Sequence, residues 1–449
     1  MPLVRPFRGL GYSLERYGTT HIPERVRMPG EREEHPGRIA DLTDLACPPY
    51  DVIGDEQRSA LLTRDPHNAV RLELNGDADP HVSAARTLGQ WQADGTLVRR
   101  ADASVYYYNH ATAAEPDEPS VQGVLAHVLL EPWGRGMRPH EHTLPAPKLD
   151  RLALLRATAT QLSPILAVYF DRSERYRHVM SRAWTDEWRA RDADGLLHQV
   201  AAVEADHRLL TYLSRQTLFV ADGHHRYETG LAYQAEVRSR SEHATAEPGS
   251  LAADWIMVVL VNAELEELQV FGTHRLLHRL RRDALDAFVA NPGPLFNAVP
   301  MPPDAVPDAL EAAADDDAPV FGLVVDGAGY LLEGDAHAIG ERMRRERLST
   351  AVQRLDLAVL HAAILDDRLG IDADAVGRGD SLTYTRSSAA AIEAVARGAS
   401  DAAILVRPTR IDQMAEVANA GDVMPQKSTY FYPKLLTGMV FNPLSEAED

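Results

Sequence analysis

Short apolar runs alternate along this chain with longer segments whose apolar residues recur every three or four positions. The runs Gly123–Leu130, Pro164–Phe170, Asp254–Val261 and Ala402–Val406 have the length and composition of buried strands. Ser104–Tyr108 reads as a further strand, and Val70–Leu74, where apolar and charged side chains alternate, as a half-buried one. Helical spacing marks Gly54–Leu62, His81–Asp94, Lys148–Thr160, Val352–Leu369 and Ile411–Ala420; in Lys148–Thr160 it puts Leu149, Leu152, Leu155 and Ala159 on one face. Val320–Val325 and Tyr330–Leu332 flank Asp326-Gly327, which predicts a hairpin. No fixed-period repeat is present, so solenoids and propellers are excluded. The mixture predicts an α/β or α+β fold in three parts: a mixed region over 1–120, a second domain over 121–288 with a helical insertion from Asp171 to Gln216, and a third over 308–449. The proline-rich stretch between Val289 and Pro307 reads as the connection.

Composition narrows the class. A chain of 449 residues with 45% hydrophobic and 25% charged residues has the balance of a soluble globular protein. One cysteine, Cys47, excludes a disulfide framework and cysteine-rich zinc sites, and points to a reducing compartment. No signal-like or membrane-length apolar run is present, so the expectation is a cytoplasmic protein that makes no membrane contact. The net charge of −20 counts against nucleic acid as a partner. In the best basic cluster, Arg342 to Arg347, Glu341 and Glu346 interleave with the arginines as on a solvated helix.

Five stretches hold more polar, special-geometry residues than folding requires. Foremost is Asp222-Gly223-His224-His225-Arg226, between the strand-like Thr217–Val220 and a helix-like segment. A helix start favours an anion, glycine lets backbone approach a ligand, arginine forks onto phosphate, and Asp222 is a candidate metal ligand. A plain helix entrance with Asp222 as N-cap accounts for the same spacing. The second stretch, Arg138 to Thr143 with Lys148, Asp150 and Arg151 beyond it, offers Glu141 beside His140 as a general base. The third is Pro48–Ile53 with Asp51, and the fourth Thr273-His274-Arg275, read as a turn after a strand. Plain alternatives stand beside each: a solvated loop glutamate for Glu141, a turn leading into a helix for Pro48–Ile53, and a surface turn for Thr273–Arg275. In the fifth, Met424–Lys434, Lys427 suits a phosphate as a point charge, but Gln426 stands where a P-loop needs glycine, so a Walker site is rejected. The aromatics after Lys427 also suit a core strand. The pairs His140/His142 and His224/His225 lack a third ligand at zinc spacing, and no serine-hydrolase elbow is present.

Taken together, Pro6–Gly9, Pro48–Ile53, Asn68–Leu72, Asp222–Thr229 and Lys427–Lys434 resemble the uncharacterised domain-of-unknown-function family ten-fifteen, over nearly the whole chain. More distantly, the order His140-Glu141, helix, Pro164-Ile165 and Asp222–Arg226 is similar to the ParB/sulfiredoxin-like superfamily and, within it, to nucleotide-dependent free serine kinases. That resemblance covers only the middle region. It implies a ParB/sulfiredoxin-like central domain, ATP or ADP with magnesium, and a small hydroxyl-bearing acceptor such as serine. It makes Glu141 the candidate base, with His140 beside it among the catalytic residues, and Asp222, Gly223, His224, His225 and Arg226 the phosphate and magnesium site. Asp51, Thr273, His274, Arg275 and Lys427 remain further candidates. A ParB-like nucleotide-binding switch without kinase activity is the alternative, and an interaction protein in which all five stretches are structural is a third reading.

Overall fold

A computed structural model of the chain describes residues 1–21, 37–112, 120–141, 143, 145–173, 186–243, 245–313 and 318–444. The architecture is mixed α/β, in two compact units rather than three consecutive domains. The first comprises Met1–Pro139, Thr143–Leu268 and Pro433–Asp449; the second comprises His140–His142 and Gln269–Tyr432.

In the first unit one sheet gathers eleven strands among the described residues. Its centre is Val105–Ala111, Val121–Leu129, Trp255–Asn262, Ile165–Tyr169 and Leu218–Asp222, in that order. Strands from the expected first and second domains therefore share one sheet, which is why they do not separate: Tyr106 to His110 pair with Leu125 to Val121. Every residue of Trp255–Asn262 is buried, as a continuous apolar run predicts for a central strand covered on both faces. Val124, Val128, Ile165, Val220, Tyr227 and Val258 belong to one core cluster. Helices Pro145–Thr158 and His224–Arg238 meet over Leu152, Leu155, Tyr233 and Val237. Leu149, assigned to the inner face of the first helix, is instead 69% exposed.

Two readings of the pattern fail in this unit. Val70–Glu73 is a short helix, not a strand. Asn68 starts it by accepting the Val70 N–H at 2.9 Å, and Val70, Leu72 and Glu73 are all buried, so the charged residue of the alternation faces inward. Within the expected helical insertion the described residues form the paired strands Glu187–Arg191 and Leu197–Val203 and a short helix, His207–Leu213; residues 174–185 of it lie outside the described residues.

The second unit is built on a sheet ordered Phe296–Met301, Ala328–Gly334, Val320–Val325, Ala402–Val406, His274–Leu277, Leu382–Thr385. The hairpin at Asp326-Gly327 is present, with both turn residues at positive φ (50° and 77°), as a two-residue type I′ loop requires. The stretch expected to be a plain connection supplies the edge strand Phe296–Met301. Thr273-His274-Arg275 is not a turn: His274 and Arg275 open a strand between two neighbours. Val352–Leu369 is interrupted, with a π-helical run at Leu360–Asp366.

Candidate functional site

The best-defined polar cluster of the first unit forms at the end of strand Leu218–Asp222, which pairs with Ile165–Tyr169 through a register shift at Leu166/Ala167. Gly223 follows with φ +101°, and helix His224–Arg238 starts with no side-chain cap. A Cβ at Gly223 would lie 3.1 Å from both Arg226 Nε and Ile165 Cγ1, so glycine lets the guanidinium lie against the turn. Asp222 is thus the last strand residue, not the N-cap of the bland reading. Its Oδ2 accepts from Arg226 Nη2 at 2.7 Å and its Oδ1 from Lys434 Nζ at 2.8 Å. Arg226 Nη1 also donates to the Pro164 carbonyl. Burial opposes the charge on Asp222, but Lys434 and then Arg226 outweigh it and hold the carboxyl far below its usual range. Burial likewise opposes the charge on Arg226, and Asp222 with Asp51 reverses the effect. His224 is buried with its ring 6.1 Å from Trp133, and His225 is half-buried.

Beside this turn a cavity of about 60 Å³ is lined by Tyr50, Glu73, Arg151, Ser163, Arg226 and Thr229. Arg151 and Glu73 form a buried ion pair at 2.7 Å, and Ser163 Oγ donates to Glu73 at 2.8 Å. The Arg151 guanidinium stacks 4.3 Å from the Tyr50 ring centroid, and burial pushes the Tyr50 hydroxyl up to about 12. Lys148, on helix Pro145–Thr158, donates to Glu228 at 2.7 Å and so ties that helix to the one that starts after Gly223.

His140 and Glu141 belong to the second unit. Glu141 bridges Met424 in parallel; the Met424 N–H donates to the His140 carbonyl at 2.8 Å, and the Lys427 N–H donates to Glu141 Oε1 at 3.1 Å. Lys427 sits at φ +56°, a left-handed conformation that a non-glycine residue adopts at some energetic cost. His140 Nε2 lies 2.9 Å from Thr429 Oγ1. Arg275 is completely buried with no carboxylate in ion-pair range among the described residues; its guanidinium meets the carbonyls of Thr273, Gln426 (3.4 Å) and Lys427 (3.2 Å). Burial lowers Arg275 to about 10, with Tyr384 and Glu141 opposing that effect. His274 accepts the Val406 N–H on Nδ1, and burial, then Arg275, lowers it to about 4. His142 lies outside the described residues.

The sequence candidates thus fall into two sets. Asp51, Asp222, Gly223, His224, His225 and Arg226 belong to the first unit; His140, Glu141, Thr273, His274, Arg275 and Lys427 belong to the second. Sequence reasoning missed Lys434, Tyr50 and Glu73 as partners of the first set and Tyr384 as a neighbour of the second. Of these, Lys434 and Tyr50 stood inside stretches already singled out, where only Lys427 and Asp51 were credited.

Over residues 29–358 the chain matches the family described as "Protein of unknown function (DUF1015)". No curated protein matches it. Among solved structures, it is similar to a free serine kinase in complex with AMP (13% identity, 68% of this chain and 86% of that chain, TM-score 0.37). It is also similar to SbnI with C-terminal truncation from Staphylococcus aureus (12% identity, 72% and 90%, TM-score 0.36). A conserved hypothetical protein from Pyrococcus furiosus is a further neighbour (11% identity, 69% and 92%, TM-score 0.36).

Proposed function

We propose that this chain, which belongs to the DUF1015 family, is a nucleotide-dependent phosphotransferase that phosphorylates a hydroxyl group of a small molecule, with free serine the first acceptor to try. The carrying observation is the Asp222 turn: a left-handed glycine opens a helix at the end of a buried strand, and two cations share one carboxylate there. A phosphate is a competing acceptor for the same Arg226 fork and the Lys434 ammonium, and the helix start adds favourable N–H dipoles. In this reading Arg226 and Lys434 turn from Asp222 to the phosphate oxygens of ATP or ADP and offset charge on the transferring group. His224, His225 and Gly223 shape the turn around it. Phosphoryl transfer needs mainly positioning and electrostatics, which suits such an arrangement.

Both oxygens of Asp222 already face cations, and the described residues contain no group of three or more His, Cys, Asp and Glu able to hold a metal. The residues present therefore do not fit a resident magnesium site, and the reading treats magnesium as carried by the nucleotide. Glu141 is the candidate proton acceptor for the acceptor hydroxyl. Its carboxylate accepts the N–H of Lys427, which sits at a left-handed φ, and that contact helps to orient it.

The test is phosphorus NMR of the purified chain with magnesium, ATP or ADP, and a panel of hydroxyl amino acids. A new phosphomonoester signal that requires one acceptor supports the kinase. Bound nucleotide without product would replace it with the nucleotide-binding switch. No nucleotide binding at all would leave the turn as structure.

A further inference from the structure

The second unit holds a cavity of about 290 Å³ that the phosphotransferase reading does not use. One wall is the π-helical run Leu360–Asp366. Such runs are rare and concentrate at functional sites, because widening a helix by one residue re-aims side chains at a cost that packing alone seldom recovers. Here it carries His361 and Asp366, both of which line the cavity. His361 Nε2 is buried without a hydrogen-bond partner among the described residues. Burial, followed by the nearby Arg275, lowers His361 to about 3, so near neutrality the ring is uncharged and can accept a proton donor. Asp366 is exposed where it lines the cavity, and its carboxylate has no side-chain partner among the described residues. Glu346, also in the lining, is held by Arg342 at 2.6 Å. The remaining wall is apolar, with Val352, Ile371 and Met424 among its residues, and the lining includes no lysine or arginine.

We propose that this cavity is a binding site for a small organic cation, an apolar body carrying one protonated amine. The amine would donate to Asp366 and His361, and the body would fill the apolar part. An aliphatic cavity of about 150 Å³ takes a benzene, so this one has room for roughly a dozen heavy atoms. Its floor includes Val423–Pro425, and the Met424 N–H is the group bonded to the His140 carbonyl at 2.8 Å. Occupancy is therefore felt by the strand bridge that carries Glu141.

Titration calorimetry of the full chain with phenethylamine and isopentylamine tests this, with 2-phenylethanol and 3-phenylpropionate as neutral and anionic counterparts. An amine should bind about ten-fold more tightly than its counterparts, and Asp366→Asn should lose a similar factor, as for a charge-assisted hydrogen bond. Ala362→Trp, which fills the cavity, should abolish binding, and bound amine should slow hydrogen exchange at Met424. Equal binding of the neutral and charged probes, no binding of either amine, or an unaffected Asp366→Asn variant would overturn the assignment. None of these outcomes depends on turnover or on nucleotide.

Discussion

Asp222 shows what one residue does in this protein. Its carboxylate is the common partner of Arg226 and Lys434, and all three side chains are mostly buried. Removing the negative charge strands two cations in a poorly solvated place, so Asp222→Asn should destabilise the chain by ~3–5 kcal/mol, read from urea unfolding at pH 7. The depressed carboxyl fixes the sign with pH. Its stabilisation is present above the unfolded value, near 4, and is lost as pH falls below that toward the folded value. Arg226→Ala should weaken nucleotide binding because the fork is lost; unchanged affinity would move the phosphate site elsewhere. Glu141→Gln should cut turnover by ~10²-fold or more while nucleotide affinity holds. At this scale the sequence was legible where partners are close along the chain. Asp222 and Arg226 are four residues apart, whereas Lys434 lies 212 positions from Asp222 and no local pattern links them. Glu73 was hidden for another reason: its strand-like alternation implied an exposed charge, while its true partner, Arg151, is 78 positions away.

Among the elements, the strand–glycine–helix unit at Leu218–Arg238 carries the proposal. Gly223 has φ +101°, which side chains rarely adopt, and a Cβ there meets Arg226 and Ile165 at 3.1 Å. Gly223→Ala should therefore cost ~1–3 kcal/mol of stability. It should also weaken nucleotide binding beyond what the folding loss explains, because the Arg226 fork must shift. Thermal unfolding together with nucleotide titration separates the two effects, and a variant with normal affinity would mean that the turn does not hold phosphate. This element was readable because each signal was local: an apolar run, then glycine, then helical spacing. The hairpin at Asp326-Gly327 was readable for the same reason. The insertion was misread because Glu187–Arg191 and Leu197–Val203 hold their places through pairing with strands distant in sequence, Gly37–Asp41 and Val105–Ala111. The π-helical interruption in Val352–Leu369 was invisible because it preserves an apolar face.

For the whole molecule, contiguous segments were the wrong unit of thought. Residues 140–142 belong to the second unit and Pro433–Asp449 return to the first, so no boundary drawn once along the sequence could reproduce the division. The strongly negative charge, in contrast, follows from composition alone, and it sets up the last prediction because it competes with buried histidines. In the first unit His110, His127 and His198 are lowered by burial, His127 to about 3. His127 lies between Phe7, 4.3 Å away, and Trp255, and neither ring nitrogen of His110 has a hydrogen-bond partner among the described residues. Neutral in the fold and protonated when unfolded below about 6.5, each makes the unfolded state bind more protons. Stability is then fully present above that value and falls as pH drops through it, by up to ~1.4 kcal/mol per pH unit for each ring that stays neutral in the fold. Relief of repulsion among surface carboxylates acts in the opposite direction, but those charges are screened within about 8–10 Å at ordinary salt and the effect is weaker. Urea unfolding at pH 7 and pH 5 should therefore show a large loss of stability, and His127→Phe, which keeps an aromatic ring in the stack, should reduce the slope by about 1.4 kcal/mol per pH unit. An unchanged slope would mean that His127 is protonated in the fold, and that its stacked place between Phe7 and Trp255 does not exclude the charge.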